Sequence, residues 1–421
     1  LVGVSGQLIR RLIRQAGIDP SHVYWTNVAK CSAGGGAGSN PTMLQVRKCL
    51  SYEAGVFLPD GHTVRIGQLV NQRQHEFVRT ILPNGVLGQA RIIGRFKTLL
   101  GDRRLVRLSY EGTRIRKASV VLTDTHLVLT KRGWVQAGEL SAADSVLTGE
   151  PGISERTADI LTGLLLGDGG LTRPYGRRWR AALEFGNTCA ELARTVHYLL
   201  NSVFRTTLYY SRKPAPRRPF YRVRTRAVSA LSVWWDTWYG NQGKHLPPGL
   251  KLTPLSLALW WMGDGFLTPR RAGSGLHGEI ATNCFSYPDV VCLVKKLAEL
   301  RIRSWPRKST NTGWFIYVPA GSLSRLFELI GPYIVPPMRY KVDSRAPEFD
   351  AGVFYAEPPV PFFAQLHVTK LRKYRADKMV YCLDIENTHN FATLGGIVHN
   401  CTGAYLLDEL AGLDYSRCRG V

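Results

Sequence analysis

Two segments of this sequence repeat one pattern, an apolar stretch that ends in Gly-Asp-Gly. The first occupies residues 161–169 and the second residues 257–265, so the two lie 96 residues apart. An internal repeat of this kind predicts two similar halves related by a pseudo-two-fold axis. If both stretches are helices, their small residues allow close packing, which places Asp168 and Asp264 side by side at the helix ends. The alternative is a pair of ordinary core helices capped by Asp-Gly.

Two carboxylates at such close quarters have a chemical consequence. They repel each other unless a cation lies between them, and magnesium accepts oxygen ligands of this type. Metal ions held there can activate water and stabilise the leaving oxygen of a phosphodiester. We therefore expect Asp168 and Asp264 to be catalytic residues and magnesium ligands.

The charge distribution points to a polyanionic partner. The 421 residues carry a formal charge of +24, and residues 152–345 hold 28 Lys and Arg against 12 Asp and Glu. Such a surplus favours nucleic acid, although basic surfaces also occur without a ligand. Residues 220–226 alternate aromatic or apolar residues with arginine. On a strand, Arg222, Arg224 and Arg226 would share one face, suited to phosphates or guanine edges of double-stranded DNA.

Other features of the composition exclude further classes. No apolar run reaches the ~18 residues that a membrane span needs, so no membrane partner is expected. The eight cysteines are scattered without the close pairs of a zinc site or the density of a disulfide scaffold. We expect a reducing, cytoplasmic compartment, in which a thiol nucleophile stays unoxidised. Leu1 in place of Met suggests that the chain is a fragment.

The paired Gly-Asp-Gly segments resemble the paired motifs of LAGLIDADG homing endonucleases. Residues 243–247, Gly-Lys-His-Leu-Pro, resemble the lysine-containing block of that family. The resemblance implies an α+β domain of two pseudo-symmetric halves over residues 151–345, active as a monomer on a double-stranded DNA site in a host gene that lacks the inserted segment. It also implies that Lys244 assists catalysis electrostatically, although a solvated lysine is the alternative. Leu259 departs from the repeat, because the first segment has Gly163 at that place.

A second constellation stands near the C-terminus, where His399, Asn400 and Cys401 are consecutive. Two predicted strands precede it, residues 379–385 and residues 390–398. An Asn amide can attack its own backbone carbonyl and cut the chain behind itself if an acid such as His protonates the leaving group. A Cys after that bond offers a thiol that can accept an acyl group. The tripeptide alone is equally consistent with an ordinary loop.

Residues earlier in the chain offer the other groups that such a cleavage reaction needs. Cys49 opens a predicted hairpin whose turn is Asp-Gly at residues 60–61, within a region to Gly149 that reads as all-β. Thr123 and His126 stand three residues apart, and in a tight turn their hydroxyl and imidazole can polarise one carbonyl and stabilise its oxyanion.

Together with His389 and the run at residues 380–402, these motifs resemble the splicing motifs of inteins. The resemblance implies an all-β Hint-type (horseshoe) splicing domain, residues 49–150 and 346–400, split by the endonuclease domain. It implies that the Cys49 thiol converts its own peptide bond with Lys48 to a thioester and that Cys401 takes over the acyl group. Asn400 then cyclises and releases the intein. The implied catalytic residues are Cys49, Thr123, His126, His389, His399, Asn400 and Cys401. Splicing needs no cofactor. Cys382 stands where many inteins carry Asp.

The two ends resemble another family. Residues 1–48 and 401–421, joined at Lys48–Cys401, resemble the middle of family 4 uracil-DNA glycosylases, which implies small α/β host fragments. Cys31 and Cys401 would then be ligands of an iron–sulfur cluster in the complete spliced host. The joined piece lacks the catalytic motifs of that family, so we expect no uracil excision. The remaining rival is a protein that only binds DNA because one of its reactive centres has decayed.

Overall fold

The computed structural model describes residues 49–101, 103–110, 119–174, 180–211, 219–240, 243–269, 275–309, 313–370 and 378–400. The predictions for the two host fragments, including those for Cys31, Lys48 and Cys401, lie outside the described residues.

The first hundred described residues are mostly short antiparallel strands. Their bounds are β1 (Leu50–Ser51), β2 (Gly55–Phe57), β3 (Thr63–Arg65), β4 (Phe77–Ile81), β5 (Leu87–Leu99), β6 (Leu105–Tyr110), β7 (Val120–Thr123), β8 (Leu127–Thr130), β9 (Gly133–Gln136) and β10 (Ser145–Pro151). Gly61 adopts a φ of 82°, which glycine tolerates, in the turn between β2 and β3. The all-β prediction misses helix α1 (Ile66–Gln72), whose buried Ile66, Leu69 and Val70 follow the three- and four-residue spacing of a helix face.

The central residues repeat one succession of elements. The first half comprises α2 (Glu155–Leu166), β11 (Gly169–Leu171), β12 (Leu183–Asn187), α3 (Ala190–Phe204), β13 (Thr206–Ser211), β14 (Phe220–Thr225) and α4 (Ser229–Trp238). The second comprises α5 (Pro254–Asp264), β15 (Gly265–Pro269), β16 (Leu276–Ala281), α6 (Tyr287–Glu299), β17 (Trp305–Ser309), β18 (Gly313–Val318) and α7 (Ala320–Ile330). The two four-stranded sheets have the same order, β11-β12-β14-β13 and β15-β16-β18-β17. One apolar core, including Trp238, Trp260 and Trp261, unites both halves.

Four further strands return to the first region. They are β19 (Pro361–Lys370), β20 (Met379–Ile385), β21 (Asn390–Thr393) and β22 (Gly396–His399). The predicted strand over residues 390–398 is therefore wrong in one respect. The chain reverses at residues 394–395, where Gly396 has a φ of 129°, and β21 and β22 pair as a hairpin.

The early and late strands share one hydrogen-bonded network. Its order is β3-β2-β21-β22-β8-β10-β19-β6-β7-β1-β20-β5-β4, with β9 beside β8. The short strand β1 lies between β7 and β20, which brings the start and the end of this region together. No helix among the described residues is long and apolar enough to cross a membrane.

Candidate functional site

The first group of predicted site residues meets around Cys49, which is buried at the start of β1. The Cys49 backbone amide donates to Thr123 Oγ1 at 3.1 Å, and the Thr123 amide donates to the Cys49 carbonyl at 2.9 Å. Arg103 Nη1 lies 3.6 Å from Cys49 Sγ. A guanidinium at that distance favours the thiolate, which is the nucleophilic form of the thiol. Sequence analysis missed Arg103, because nothing in its local pattern distinguishes it from other surface arginines.

The turn from Thr123 to His126 connects this cysteine with the other end of the region. The His126 amide donates to the Thr123 carbonyl at 3.0 Å, which closes the predicted tight turn. The fully buried imidazole places Nε2 3.1 Å from the carbonyl oxygen of His399. One turn therefore contacts both Cys49 and His399.

Asn400 lies at the end of β22 and is 1% exposed. Its amide donates to the His389 carbonyl at 2.9 Å, and its own carbonyl oxygen is 2.9 Å from His399 Nδ1. The His389 Nδ1 atom is 3.4 Å from Asn400 Nδ2. Trp134 packs against the His399 ring edge to face, with 5.1 Å between ring centroids. This contact restricts the orientation of the imidazole.

One carboxylate of this centre was not predicted. Asn400 Nδ2 donates to Asp384 Oδ1 at 2.7 Å, and the Ile385 carbonyl oxygen is 3.4 Å from the same nitrogen. Burial raises the pKa of the Asp384 carboxyl, and the nearby His389 offsets part of that rise. Strand alternation could have indicated Asp384, since it shares a face of β20 with Cys382. Cys382 is itself buried, with Sγ 3.6 Å from the Leu383 carbonyl oxygen.

The second group of predicted residues lies where α2 and α5 pack together. A side chain at Gly163 would place its Cβ 2.8 Å from Leu259 Cβ and 2.5 Å from the Ser256 carbonyl oxygen. The departure at Leu259 is thus accommodated by the glycine opposite. Helix α5 begins with a capping box between Thr253 and Ser256, which fixes its start.

Asp168 and Asp264 follow at the C-terminal ends of these helices. A Cβ at Gly263 would lie 3.4 Å from Asp168 Oδ2, so the backbone beside one aspartate contacts the carboxylate of the other helix. Burial, followed by the negative charge of Asp168, raises the pKa of Asp264 to about 6. Asn187 Nδ2 donates to Asp168 Oδ2 at 2.7 Å. Sequence analysis did not single out Asn187, because it is distant in the chain and belongs to no quoted motif.

Two lysines border this pair of carboxylates. Burial lowers the pKa of Lys244, whose Nζ donates to the Gly169 carbonyl at 3.4 Å, and both aspartates act on it electrostatically. Lys341 is buried and was not predicted. Its Nζ donates to the carbonyls of Met262 at 2.7 Å and Gly263 at 2.9 Å, and so satisfies the last turn of α5.

The predicted DNA-contacting arginines separate into two sets. Arg222 and Arg224 are exposed on the same face of β14, and Arg222 lines a cleft of about 570 Å³ that also includes Asp168. Arg224 Nε is 3.3 Å from Glu184 Oε1. Arg226 lies beyond the strand, and its Nη1 donates to the Asp60 carbonyl at 3.0 Å. Arg226 therefore connects the central residues to the β2–β3 turn.

The carboxylate pair has the chemistry of a magnesium site. Both donors are carboxylate oxygens. Burial, and then repulsion by the negative charge of Asp168, raises the pKa of Asp264. Lys341 directs its ammonium to backbone carbonyls. A divalent cation would relieve the repulsion between the carboxylates, so the residues present fit this ion.

Comparison with known proteins gives a family match for the central residues. Residues 158–326 match the LAGLIDADG DNA endonuclease family. The cytochrome b mRNA maturase bI2 of Saccharomyces cerevisiae is 36% identical over 137 residues, covering 30% of this chain and 31% of the maturase. A homing endonuclease solved with its DNA recognition sequence, I-WcaI, superposes with a TM-score of 0.41 and 22% identity, covering 46% of this chain and 88% of that one. A mutant of the Ssp DnaB mini-intein variant M86 covers 84% of this chain and 98% of its own, with a TM-score of 0.28 and 10% identity.

Other relatives match most of the length of the chain. Protein RecA of Mycobacterium shimoidei is 27% identical over 387 residues, covering 84% of this chain and 86% of the relative. Protein RecA of Mycolicibacterium flavescens is also 27% identical, with the same coverage. These relatives are RecA proteins, and they do not support the expected uracil-DNA glycosylase-like fragments.

Proposed function

We propose that the chain is an intein precursor that splices itself, and that its central residues form a site-specific endonuclease for double-stranded DNA. The observation that carries the splicing proposal is the turn between β7 and β8. Thr123 holds the amide of Cys49, and His126 holds the carbonyl of His399. Residues 351 positions apart in the chain, Cys49 and Asn400, thus belong to one centre.

The first half of the reaction belongs to Cys49. Its thiolate, favoured by Arg103, attacks the carbonyl of the preceding residue. Thr123 Oγ1 and His126 are the groups that polarise this carbonyl and stabilise the oxyanion. The peptide bond to the Cys49 nitrogen then breaks as that nitrogen takes up a proton, which leaves a thioester. The thiol of Cys401 attacks this thioester, takes over the acyl group and releases the Cys49 thiol.

The second half belongs to Asn400. Its side-chain nitrogen attacks its own backbone carbonyl, whose oxygen is 2.9 Å from His399 Nδ1. A protonated His399 can stabilise the developing charge there and supply a proton to the departing amine of Cys401. His389 holds the Asn400 backbone through its carbonyl, which keeps the reacting atoms in place.

In the endonuclease, Asp168 and Asp264 would hold magnesium. The bound ion would activate water and stabilise the leaving oxygen of the phosphodiester. Lys244 borders both carboxylates and adds positive charge near the scissile phosphate. Arg222 and Arg224, exposed beside the Asp168 cleft, contact the DNA backbone or guanine edges. The two halves act within one chain, each presenting its sheet to one half of the DNA site.

Splicing is tested by intact-mass spectrometry of the chain expressed from its gene. The wild type should yield a 352-residue fragment ending in succinimide or Asn, together with the joined flanks. A Cys49→Ala, Asn400→Ala double variant should remain whole. Persistence of one intact species in both samples would refute splicing.

DNA cleavage is tested separately on an intein-less copy of the host gene. We expect magnesium-dependent double-strand cleavage that Asp168→Asn abolishes while DNA binding persists. Binding without cleavage by the wild type would favour the rival in which the endonuclease centre has decayed.

A further inference from the structure

We propose that Asp384 is the proton acceptor for cyclisation of Asn400. This inference rests on the proposed splicing function and assigns a catalytic role to a residue that was not among the predicted catalytic residues. Its Oδ1 atom is 2.7 Å from the nitrogen that attacks, the shortest contact of that nitrogen.

The Asn400 carboxamide is held through its nitrogen. Around Nδ2 lie Asp384 Oδ1, the Ile385 carbonyl at 3.4 Å and His389 Nδ1 at 3.4 Å. Among the described residues, the buried Asn400 Oδ1 has no hydrogen-bond partner. Asp384 therefore makes the charged contact that orients this side chain, and a charge-assisted hydrogen bond is about twice as strong as a neutral one.

Two features of the pairing between β20 and β5 position the Asp384 carboxylate. The pairing of β20 with β5 is irregular between Asp384 and Ile385, and such irregularities redirect side chains. Opposite Asp384 stands Gly94, where an added Cβ would lie 2.8 Å from Asp384 Cβ. A larger residue at position 94 would displace Asp384 from Asn400.

The proton balance of the step requires an acceptor. When Nδ2 bonds to the Asn400 carbonyl carbon, that nitrogen loses one proton, and the bond to the Cys401 nitrogen breaks with gain of one proton. Asp384 Oδ1 takes the first proton, and His399 gives the second. The step therefore moves one proton from His399 to Asp384 and needs no other reactant.

The local electrostatics suit this role. Burial raises the pKa of Asp384, so its carboxylate is a stronger base than an exposed one. His389 is the titratable group that acts on this carboxyl, and its effect opposes the rise of the pKa.

The test compares both ends of the splicing centre in the full chain. Asp384→Asn keeps the size of the side chain and removes the base, so we expect cleavage after Asn400 to slow by about 100-fold, a typical contribution of general acid–base catalysis. Thiol-induced cleavage before Cys49, measured by intact mass with dithiothreitol, should stay at the wild-type rate. Asp384→Glu should recover part of the lost rate, because it restores a carboxylate. Glu386→Gln is the matched control, since it removes an exposed carboxylate two residues further along.

The outcomes distinguish this inference from the function on which it rests. If the wild type splices and Asp384→Asn splices equally fast, the assignment of Asp384 is overturned and splicing stands. If Asp384→Asn loses both cleavages, Asp384 supports the fold of the whole centre, which also overturns the assignment. Absence of splicing in the wild type would refute the proposed function itself.

Discussion

Gly163 on α2 faces Leu259 on α5, and a side chain at position 163 would bring its Cβ within 2.8 Å of Leu259 Cβ. The two helices approach closely because one of these positions has no side chain. The contact also sets the distance between Asp168 and Asp264, because each aspartate lies at the C-terminal end of one of these two helices. Stability and cleavage thus depend on one packing contact.

Gly163→Ala should destabilise the central region. The new Cβ would also meet the Ser256 carbonyl oxygen at 2.5 Å, so the helices must separate, at a cost of about 1–3 kcal/mol. Thermal denaturation measures the loss, and cleavage should fall because the carboxylates move apart. Gly321→Ala is the control, since Gly321 is a helical glycine with nothing within 4 Å of its added Cβ. Equal stability of the two variants would contradict the close packing.

Asp264→Asn should stabilise the protein at neutral pH. The Asp264 pKa is about 6 in the folded protein, against 3.8 for an unperturbed aspartate. Between these values the folded state binds more protons than the unfolded state, so wild-type stability falls as pH rises through this window. The difference of about two units bounds the cost at about 3 kcal/mol above pH 6. The variant should show a higher melting temperature at pH 7.5 and no gain at pH 4.

With magnesium present, the wild type should become more stable than Asp264→Asn. A cation held by Asp168 and Asp264 stabilises the wild type by about 1.4 kcal/mol for each tenfold excess over its dissociation constant. The variant, which lacks one carboxylate, should gain little. The exposed Glu348→Gln serves as the control, with the same response to pH and magnesium as the wild type. An equal magnesium response in Asp264→Asn would argue against this ligand pair.

Thr123→Val should slow the N-terminal step. Valine keeps the shape of Thr123 but removes the oxygen that accepts from the Cys49 amide at 3.1 Å. Loss of one such positioned polar group typically lowers a rate by about 10²–10³. Thiol-induced cleavage before Cys49 gives the measurement. Thr63→Val on the exposed strand β3 should leave the rate unchanged, and a similar fall in both variants would count against a specific role of Thr123.

Sequence patterns predicted those parts of the molecule that local chemistry determines. The repeat at residues 161–169 and 257–265 predicted two similar halves, and the two four-stranded sheets have the same strand order. The repeat was visible because buried helices carry apolar residues at regular intervals. The reversal at Gly396 was missed, since an apolar run with two glycines fits one strand or two. Asp384 and Lys341 were missed because their partners, Asn400 and the end of α5, are distant in the chain. The contact of Lys341 with Met262 spans 79 residues and has no local pattern, whereas Asp384, 16 residues from Asn400, was indicated only by its place on the same strand face as Cys382.

Arg222 and Arg226 should differ in their effect on DNA binding although they lie four residues apart. Arg222 is exposed beside the Asp168 cleft, so Arg222→Ala should weaken binding and reduce the salt slope by about one unit, as for loss of one phosphate contact. Arg226 donates to the Asp60 carbonyl, so Arg226→Ala should leave the salt slope unchanged and instead lower the melting temperature slightly. Binding titrations at several salt concentrations separate the two effects. If Arg226→Ala reduced the slope as much as Arg222→Ala, the arginine would leave Asp60 to contact DNA, and the interface would extend across the β2–β3 turn.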